Sequence, residues 1–117
     1  MTDILLYHNP RCSKSRGALE LLQARGIEPR LVHYLDTPPS VGTLRELLGK
    51  LGCTPRQLLR SGEELYRELG LDDPALDDAA LLEAMAAHPR LIERPILVVG
   101  AQAIIGRPSE RVLEILP

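Results

Sequence analysis

Apolar residues change their spacing several times along this chain, and each change marks an element. Ile4-Leu5-Leu6-Tyr7 is a continuous apolar run, which predicts a short buried strand over Ile4–Tyr7. Ala18, Leu19, Leu21, Leu22 and Ala24 then recur at helical spacing. Ser13 or Ser15 is placed to cap that helix and Gly26 to end it. Arg30–Tyr34 returns to a strand-like run rich in Leu and Val. A strand, a helix and a strand joined so closely predict a parallel, right-handed βαβ unit.

Past the turn Asp36-Thr37-Pro38-Pro39-Ser40 the spacing becomes helical. Leu44, Leu47, Leu48 and Leu51 mark a helix from Ser40 that Gly52 stops. Thr54-Pro55 reads as an N-cap followed by proline at the first helical position, opening a short helix through Leu59. Ser61-Gly62-Glu63-Glu64 has the form of a capping box for the next helix, which Gly70 ends. Asp77 or Asp78 caps a further helix, with Leu81, Leu82 and Met85 on its apolar face, ending near His88-Pro89. Strand character returns at Pro95–Val99, and Gly100 to Gln102 form a tight turn into a partner strand, Ala103–Ile105. After Gly106-Arg107-Pro108 an amphipathic helix carrying Val112, Leu113, Ile115 and Leu116 closes the chain. The order is βαβ, helices, ββα: an α/β chain with a thioredoxin-like arrangement and a helical insertion at about 40–90. No linker or repeat divides it, so residues 1–117 are expected to form a single domain.

Composition narrows the class. The net charge of −2 supplies no global field for nucleic acid or a membrane surface. With no Phe or Trp and three Tyr, the chain is poor in aromatic surfaces for stacking bases. The longest apolar run, near Pro95 to Gly100, is far below a membrane span, and the N-terminus lacks a basic n-region. Two cysteines, Cys12 and Cys53, suit a reduced cytoplasmic protein better than a disulfide scaffold. These features predict a cytoplasmic protein that engages neither nucleic acid nor membrane.

The chemistry concentrates between the first strand and the first helix. Cys12 stands at that turn among Arg11, Lys14 and Arg16, four residues after His8. A helix N-terminus and neighbouring cations favour the thiolate and can lower a thiol pKa from about 8.5 to roughly 3.5–7.5. Cys12 is therefore the expected nucleophile, whereas Cys53, between Gly52 and Thr54 beside an apolar helix, reads as packing. Ser15 occupies the second position of a would-be Cys-x-x-Cys motif, so reducing equivalents must come from an external thiol. His8 either shares a proton with the thiol or is a structural polar residue. His33 and His88 have no ligand spacing with either cysteine, so no metal site is expected. Arg60, Arg94 and Arg107 each stand where an element ends, and guanidinium forks suit a tetrahedral oxyanion. Arg94-Pro95 is a candidate cis peptide bond.

His8-Asn9-Pro10-x-Cys12-Ser13-x-Ser15-Arg16, Tyr34-Leu35-x-x-Pro38-Pro39, Leu58-Leu59-Arg60, His88-Pro89, Arg94-Pro95-Ile96 and Gly106-Arg107-Pro108-Ser109-Glu110 occur in that order. Together they resemble the glutaredoxin-coupled arsenate reductase family nearly end to end. The resemblance implies a thioredoxin-like fold, a cis proline at Pro95 and Cys12 as the residue that attacks arsenate. It also implies oxyanion binding by Arg60, Arg94 and Arg107, with His8 helping to keep the thiol ionised and Asn9, Ser15 and Arg16 in support. Glutathione would be the co-substrate and glutaredoxin the reducing partner, with no bound cofactor. Ser13-Lys14 stands where family reductases carry Gly-Thr, and Gly17 where they carry Asn, departures that resemble a sister group. The phosphatase-type Cys-x5-Arg class does not fit, because Ala18 occupies the arginine position. The rival reading is a redox regulator of the Spx type that binds RNA polymerase. Such regulators typically use Cys-x-x-Cys and need no arginine triad.

Overall fold

The computed structural model describes residues 3–116, which gather into two compact units. One joins the residues up to Thr37 with those from Arg94 on, and the other is Pro38–Glu93.

The first unit holds β1 (Ile4–Tyr7), α1 (Ser13–Ala24), β2 (Arg30–Val32), β3 (Ile96–Val99), β4 (Gln102–Ile105) and a 3-10 helix, Ser109–Ile115. Its sheet has the order β2-β1-β3-β4. β1 runs parallel to β2, β3 antiparallel to β1, and β4 antiparallel to β3. This is the thioredoxin-like arrangement expected from the element order. Side chains alternate across a strand, so the register Ile4–Val99 and Leu6–Leu97 aligns one face of β1 with one face of β3. Leu6, Leu97, Val99 and Ile104 pack there with Ala18 and Leu22 of α1 and Val112 of the 3-10 helix. Fully burying such an aliphatic side chain contributes about 1.5–3 kcal/mol.

Two glycines stand where a larger residue would crowd a neighbour, mildly at Gly17 and severely at Gly106. A Cβ on Gly17 would lie 3.2 Å from Ser109 Oγ, and the Ser109 hydroxyl donates to Lys14 O at 2.9 Å. The glycine at 17 thus lets the 3-10 helix close on α1. A Cβ on Gly106 would meet Val112 Cγ1 at 2.9 Å and Pro95 Cγ at 3.0 Å. Gly106→Ala is expected to destabilise the protein by about 1–3 kcal/mol through overpacking. A fall in the urea midpoint with unchanged slope would register it.

The second unit contains α2 (Val41–Leu51), α3 (Pro55–Leu58), α4 (Glu64–Glu68) and α5 (Asp78–Ala87). Three of its helices begin as their sequences require. Ser40 Oγ accepts from Thr43 N–H, Asp77 accepts from Ala80 N–H, and Thr54 with Gln57 forms a capping box beside Pro55. Gly52, at φ +67°, ends α2 in the left-handed region that glycine enters without strain. Leu44, Leu47, Leu58, Leu81, Leu82 and Met85 are buried within this unit.

Several boundaries differ from expectation. β2 stops at Val32, because Tyr34 N–H turns back to Val32 O while Asp36 and Thr37 N–H both reach His33 O. The closing segment is a 3-10 helix rather than an α-helix, held by contacts such as Arg111 N–H to Pro108 O. α1 is not capped by Ser13 or Ser15, since its N-cap position belongs to Cys12. Ser61 to Glu64 form no capping box. Glu63 is the N-cap of α4 and commits its carboxylate to Arg60 and Arg90 instead.

Candidate active site

Three chain segments converge at one end of the sheet, and strand direction is the reason. β3 is antiparallel to β1 with Ile96 opposite Tyr7, so the residues entering β3 lie beside those leaving β1. β4 is antiparallel to β3 with Ile105 opposite Ile96, so the residues leaving β4 arrive at the same end. Those segments are His8 to Cys12, Arg94-Pro95 and Gly106-Arg107. Both Arg94-Pro95 and Arg107-Pro108 are cis. The first was anticipated; the second was missed, although an X-Pro dipeptide was visible in the sequence. Gly106 N–H donates to Pro95 O at 2.8 Å, and Arg107 Nη1 donates to Arg94 O at 3.2 Å. The strand entry and the hairpin exit are thus tied together.

The loop after β1 is fixed by its own polar groups. Asn9 O accepts from Cys12 N–H and Asn9 Oδ1 from Arg11 N–H, each at 3.0 Å, the turn that asparagine side chains favour. Asn9 N–H reaches the fully buried Ser15 Oγ at 3.4 Å, and Arg16 Nη1 donates to Pro10 O at 3.0 Å. Asn9, Ser15 and Arg16 therefore shape the turn that carries Cys12.

Cys12, part-exposed, occupies the N-cap of α1 with extended backbone. Its side chain closes no capping hydrogen bond. Burial alone pushes the thiol pKa up, but the Ser15 and Lys14 N–H groups, the Arg94 guanidinium and the Ser15 hydroxyl outweigh it, and the net shift is downward. Unpaired N–H groups and partial positive charge at the start of a helix act in that direction on any anion. Cys53 lies half-buried in the helical unit, where burial raises its thiol pKa.

Arg94 is the second distinctive group. Its Nε and Nη1 atoms are buried and have no hydrogen-bond partner among the described residues. A buried cation with donors unpaired is costly, and its charge already acts on Cys12. An oxyanion held there would satisfy those donors while meeting the thiolate.

His8 is buried, and its pKa is lowered, first by burial and then by the charges of His33 and Arg16. From an ordinary value of 6.5 that shift makes it a neutral ring at pH 7. Its Nδ1 has no partner among the described residues, and His33 stacks edge-on with ring centroids 6.3 Å apart. Arg60 belongs to the helical unit. Its Nη1 pairs with Glu63 at 2.5 Å and its Nε with Glu93 at 3.7 Å. Sequence reasoning did not anticipate these two carboxylates, because neither lies within a recognised motif spacing. The first unit thus brings Cys12, Ser15, Asn9, His8, Arg94, Pro95 and Arg107 to one end of its sheet.

A single ionisable thiol at a helix start on a thioredoxin-like sheet, opposite an unpaired guanidinium, defines a thiol-dependent oxidoreductase. The ArsC family model matches residues 7–115. An arsenate reductase of Neisseria meningitidis is 50% identical over 117 residues, 99% of this chain and 100% of the relative. An arsenate reductase of Escherichia coli is 46% identical over 117 residues, covering all of this chain and 83% of the relative. The solved arsenate reductase from Vibrio cholerae superposes with a TM-score of 0.96 at 53% identity, over 98% of both chains. The chain belongs to the ArsC family, as its ordered motifs implied.

The site geometry sets an expectation for the two thiols. Cys12 is expected to alkylate with iodoacetamide at neutral pH faster than Cys53, because their pKa values shift in opposite directions. Ser15→Ala removes a hydroxyl that favours the thiolate. It is expected to move the pH midpoint of Cys12 alkylation upward and slow the reaction several-fold at pH 7. Residue-resolved mass spectrometry across pH checks both.

Proposed function

We propose that the chain is an arsenate reductase in which the Cys12 thiolate attacks arsenic and an arginine clamp holds the oxyanion. The observation that carries this reading is Arg94, whose buried Nε and Nη1 lack partners among the described residues while its charge acts on Cys12. The names of the relatives, arsenate reductases at about half identity over nearly the whole chain, support the substrate.

In this reading arsenate is bound by Arg94 and Arg107 of the first unit. Attack by Cys12 sulfur forms a bond to As(V) and expels one oxygen as water. Glutathione thiolate then adds at the same arsenic and displaces a second oxygen, still without electron transfer. A glutaredoxin thiolate attacks the glutathione sulfur. The sulfur–arsenic bond breaks with its electron pair left on arsenic, which becomes As(III), and the two sulfurs form a mixed disulfide. Water then displaces Cys12 from As(III), releasing arsenite and restoring the thiol. Each turnover consumes two glutathione equivalents once the mixed disulfide has been reduced. Ser15 removes an internal resolving thiol, so the external donor is required.

The roles of the remaining residues follow from their places. Asn9, Ser15 and Arg16 hold the turn that presents Cys12. Pro95 O is tied to Gly106 N–H beside Arg94. His8, neutral at pH 7, adds no positive charge to the site. The helical unit is read as an insertion in one domain, and a reduced cytoplasmic setting supplies both thiol donors. The relatives' names do not favour the polymerase-binding regulator.

The test is arsenate-dependent formation of oxidised glutathione in the presence of glutaredoxin. Turnover that requires all three components supports the reading. Turnover absent under every combination overturns it.

A further inference from the structure

The first unit carries a cleft of about 310 Å³ on the turn that leads into Cys12, lined in part by His8, Arg11, His33, Leu35 and Asp36. Its volume falls at the lower end of small-molecule sites, about 300–1,000 Å³. Arg11 precedes Cys12 directly in the chain, so the cleft is built in part from the loop that carries the reactive residue.

Its lining is unusual in three ways. It contains one cation and one anion, Arg11 and Asp36, both exposed. Neither side chain makes an ion pair or hydrogen bond among the described residues. It also contains His8, only 4% exposed, whose Nδ1 is buried without a partner. A buried ring nitrogen left unpaired is costly, and a ligand amide would relieve it. Finally, Leu35 gives the cleft a partly exposed apolar wall.

We infer that this cleft is the binding subsite for the thiol co-substrate, a short peptide thiol whose one end carries both an α-carboxylate and an α-ammonium. This rests on the arsenate reductase reading above and deepens it. Arg11 takes the carboxylate and Asp36 the ammonium. The His8 ring pairs with a peptide amide, and the central thiol points toward Cys12. Three extended residues span on the order of 10 Å, so a ligand anchored at Arg11 and Asp36 can still place its sulfur at the arsenic on Cys12. The bound thiolate forms the sulfur–arsenic bond and displaces one oxygen as water, with no change in oxidation state until glutaredoxin acts.

Two measurements test the subsite. In steady-state turnover at saturating arsenate and glutaredoxin, Arg11→Glu and Asp36→Lys are each expected to raise the KM for glutathione about tenfold, the loss of one well-placed charged contact. In Asp36→Lys the KM for arsenate and kcat at saturating glutathione should stay within about twofold, as expected for lost substrate binding alone, and Arg11→Lys, which keeps the charge next to Cys12, should restore much of the glutathione KM lost in Arg11→Glu. Independently, S-methylglutathione, which cannot react, is titrated into the ¹⁵N-labelled wild type. Chemical-shift changes should cluster at Asn9 to Arg11 and His33 to Asp36. An unchanged glutathione KM in both charge reversals overturns the subsite, as does a rise in the glutaredoxin KM alone, or shifts that scatter or are absent. If the wild type turns over no arsenate, it is the reductase reading that fails. The titration still decides whether the cleft binds the peptide.

Discussion

Cys12→Ser is expected to abolish arsenate-dependent turnover, lowering kcat by on the order of a thousandfold or more, while the fold remains. Cys12 is the N-cap of α1 and closes no capping hydrogen bond. Serine is among the favoured N-cap residues, so helix stability should hold or improve slightly. The lost activity has a specific cause. A serine hydroxyl is not appreciably ionised near neutral pH, whereas the Ser15 and Lys14 N–H groups and Arg94 favour a thiolate at this position. No second thiol within the turn can substitute, because Ser15 stands where one would be. Retained far-UV circular dichroism and melting temperature with lost turnover is the expected pairing. Activity that survived in the variant would place the nucleophile elsewhere, and Cys53 would be the residue to replace next.

Arg94→Met is expected to separate activity from stability. Arg94 keeps Nε and Nη1 buried and unpaired, an arrangement that costs folding free energy when no anion is present. Methionine fills a similar volume without a charge, and replacing buried charges with apolar groups is often neutral or stabilising. The melting temperature should therefore hold or rise. Turnover should fall about a hundredfold to a thousandfold, the usual loss when one preorganised donor to a developing anion is removed, or about 2.7–4 kcal/mol of transition-state stabilisation. Cys12 alkylation at neutral pH should slow as well, since Arg94 is one of the groups that lower its pKa. Arsenate should raise the melting temperature of the wild type by mass action and have much less effect on the variant. Arg94→Lys tests the fork itself: it keeps the charge but loses bidentate geometry, and should recover only part of the activity. A variant as active as wild type would remove Arg94 from the clamp.

Much of this protein was readable from local patterns. The caps at Ser40, Thr54 and Asp77 formed where their side chains allowed, because an N-cap depends on a hydroxyl or carboxylate reaching an N–H two or three residues on. The apolar run Ile4–Tyr7 became β1, and the cis bond at Arg94-Pro95 appeared where an X-Pro dipeptide enters a strand. The misreadings came where a local option lost to a tertiary one. Ser61 and Glu64 had the spacing of a capping box, but α4 begins at Glu64 with Glu63 as its N-cap, and the Glu63 carboxylate pairs with Arg60 and Arg90, charges brought close by folding of the helical unit. Ser15 was free to cap α1, but it is wholly buried and receives Asn9 N–H instead.

For the site, local sequence was enough to make Cys12 an accessible thiol at the start of a helix, without a partner cysteine in the turn. Those properties depend only on neighbours within a few residues: a strand end, a polar turn and the first N–H groups of α1. It could also name Arg94 and Arg107 as arginines at element ends. That both stand at the same end of the sheet as Cys12 emerges with the folded sheet, because it depends on β3 and β4 each running antiparallel to the strand before it in the sheet. Strand direction and register are set by side-chain packing between segments some ninety residues apart in sequence, information that no local spacing carries. The same long-range packing left the Arg94 donors buried and unpaired. On the proposed reading, those donors make a common residue type an anion site.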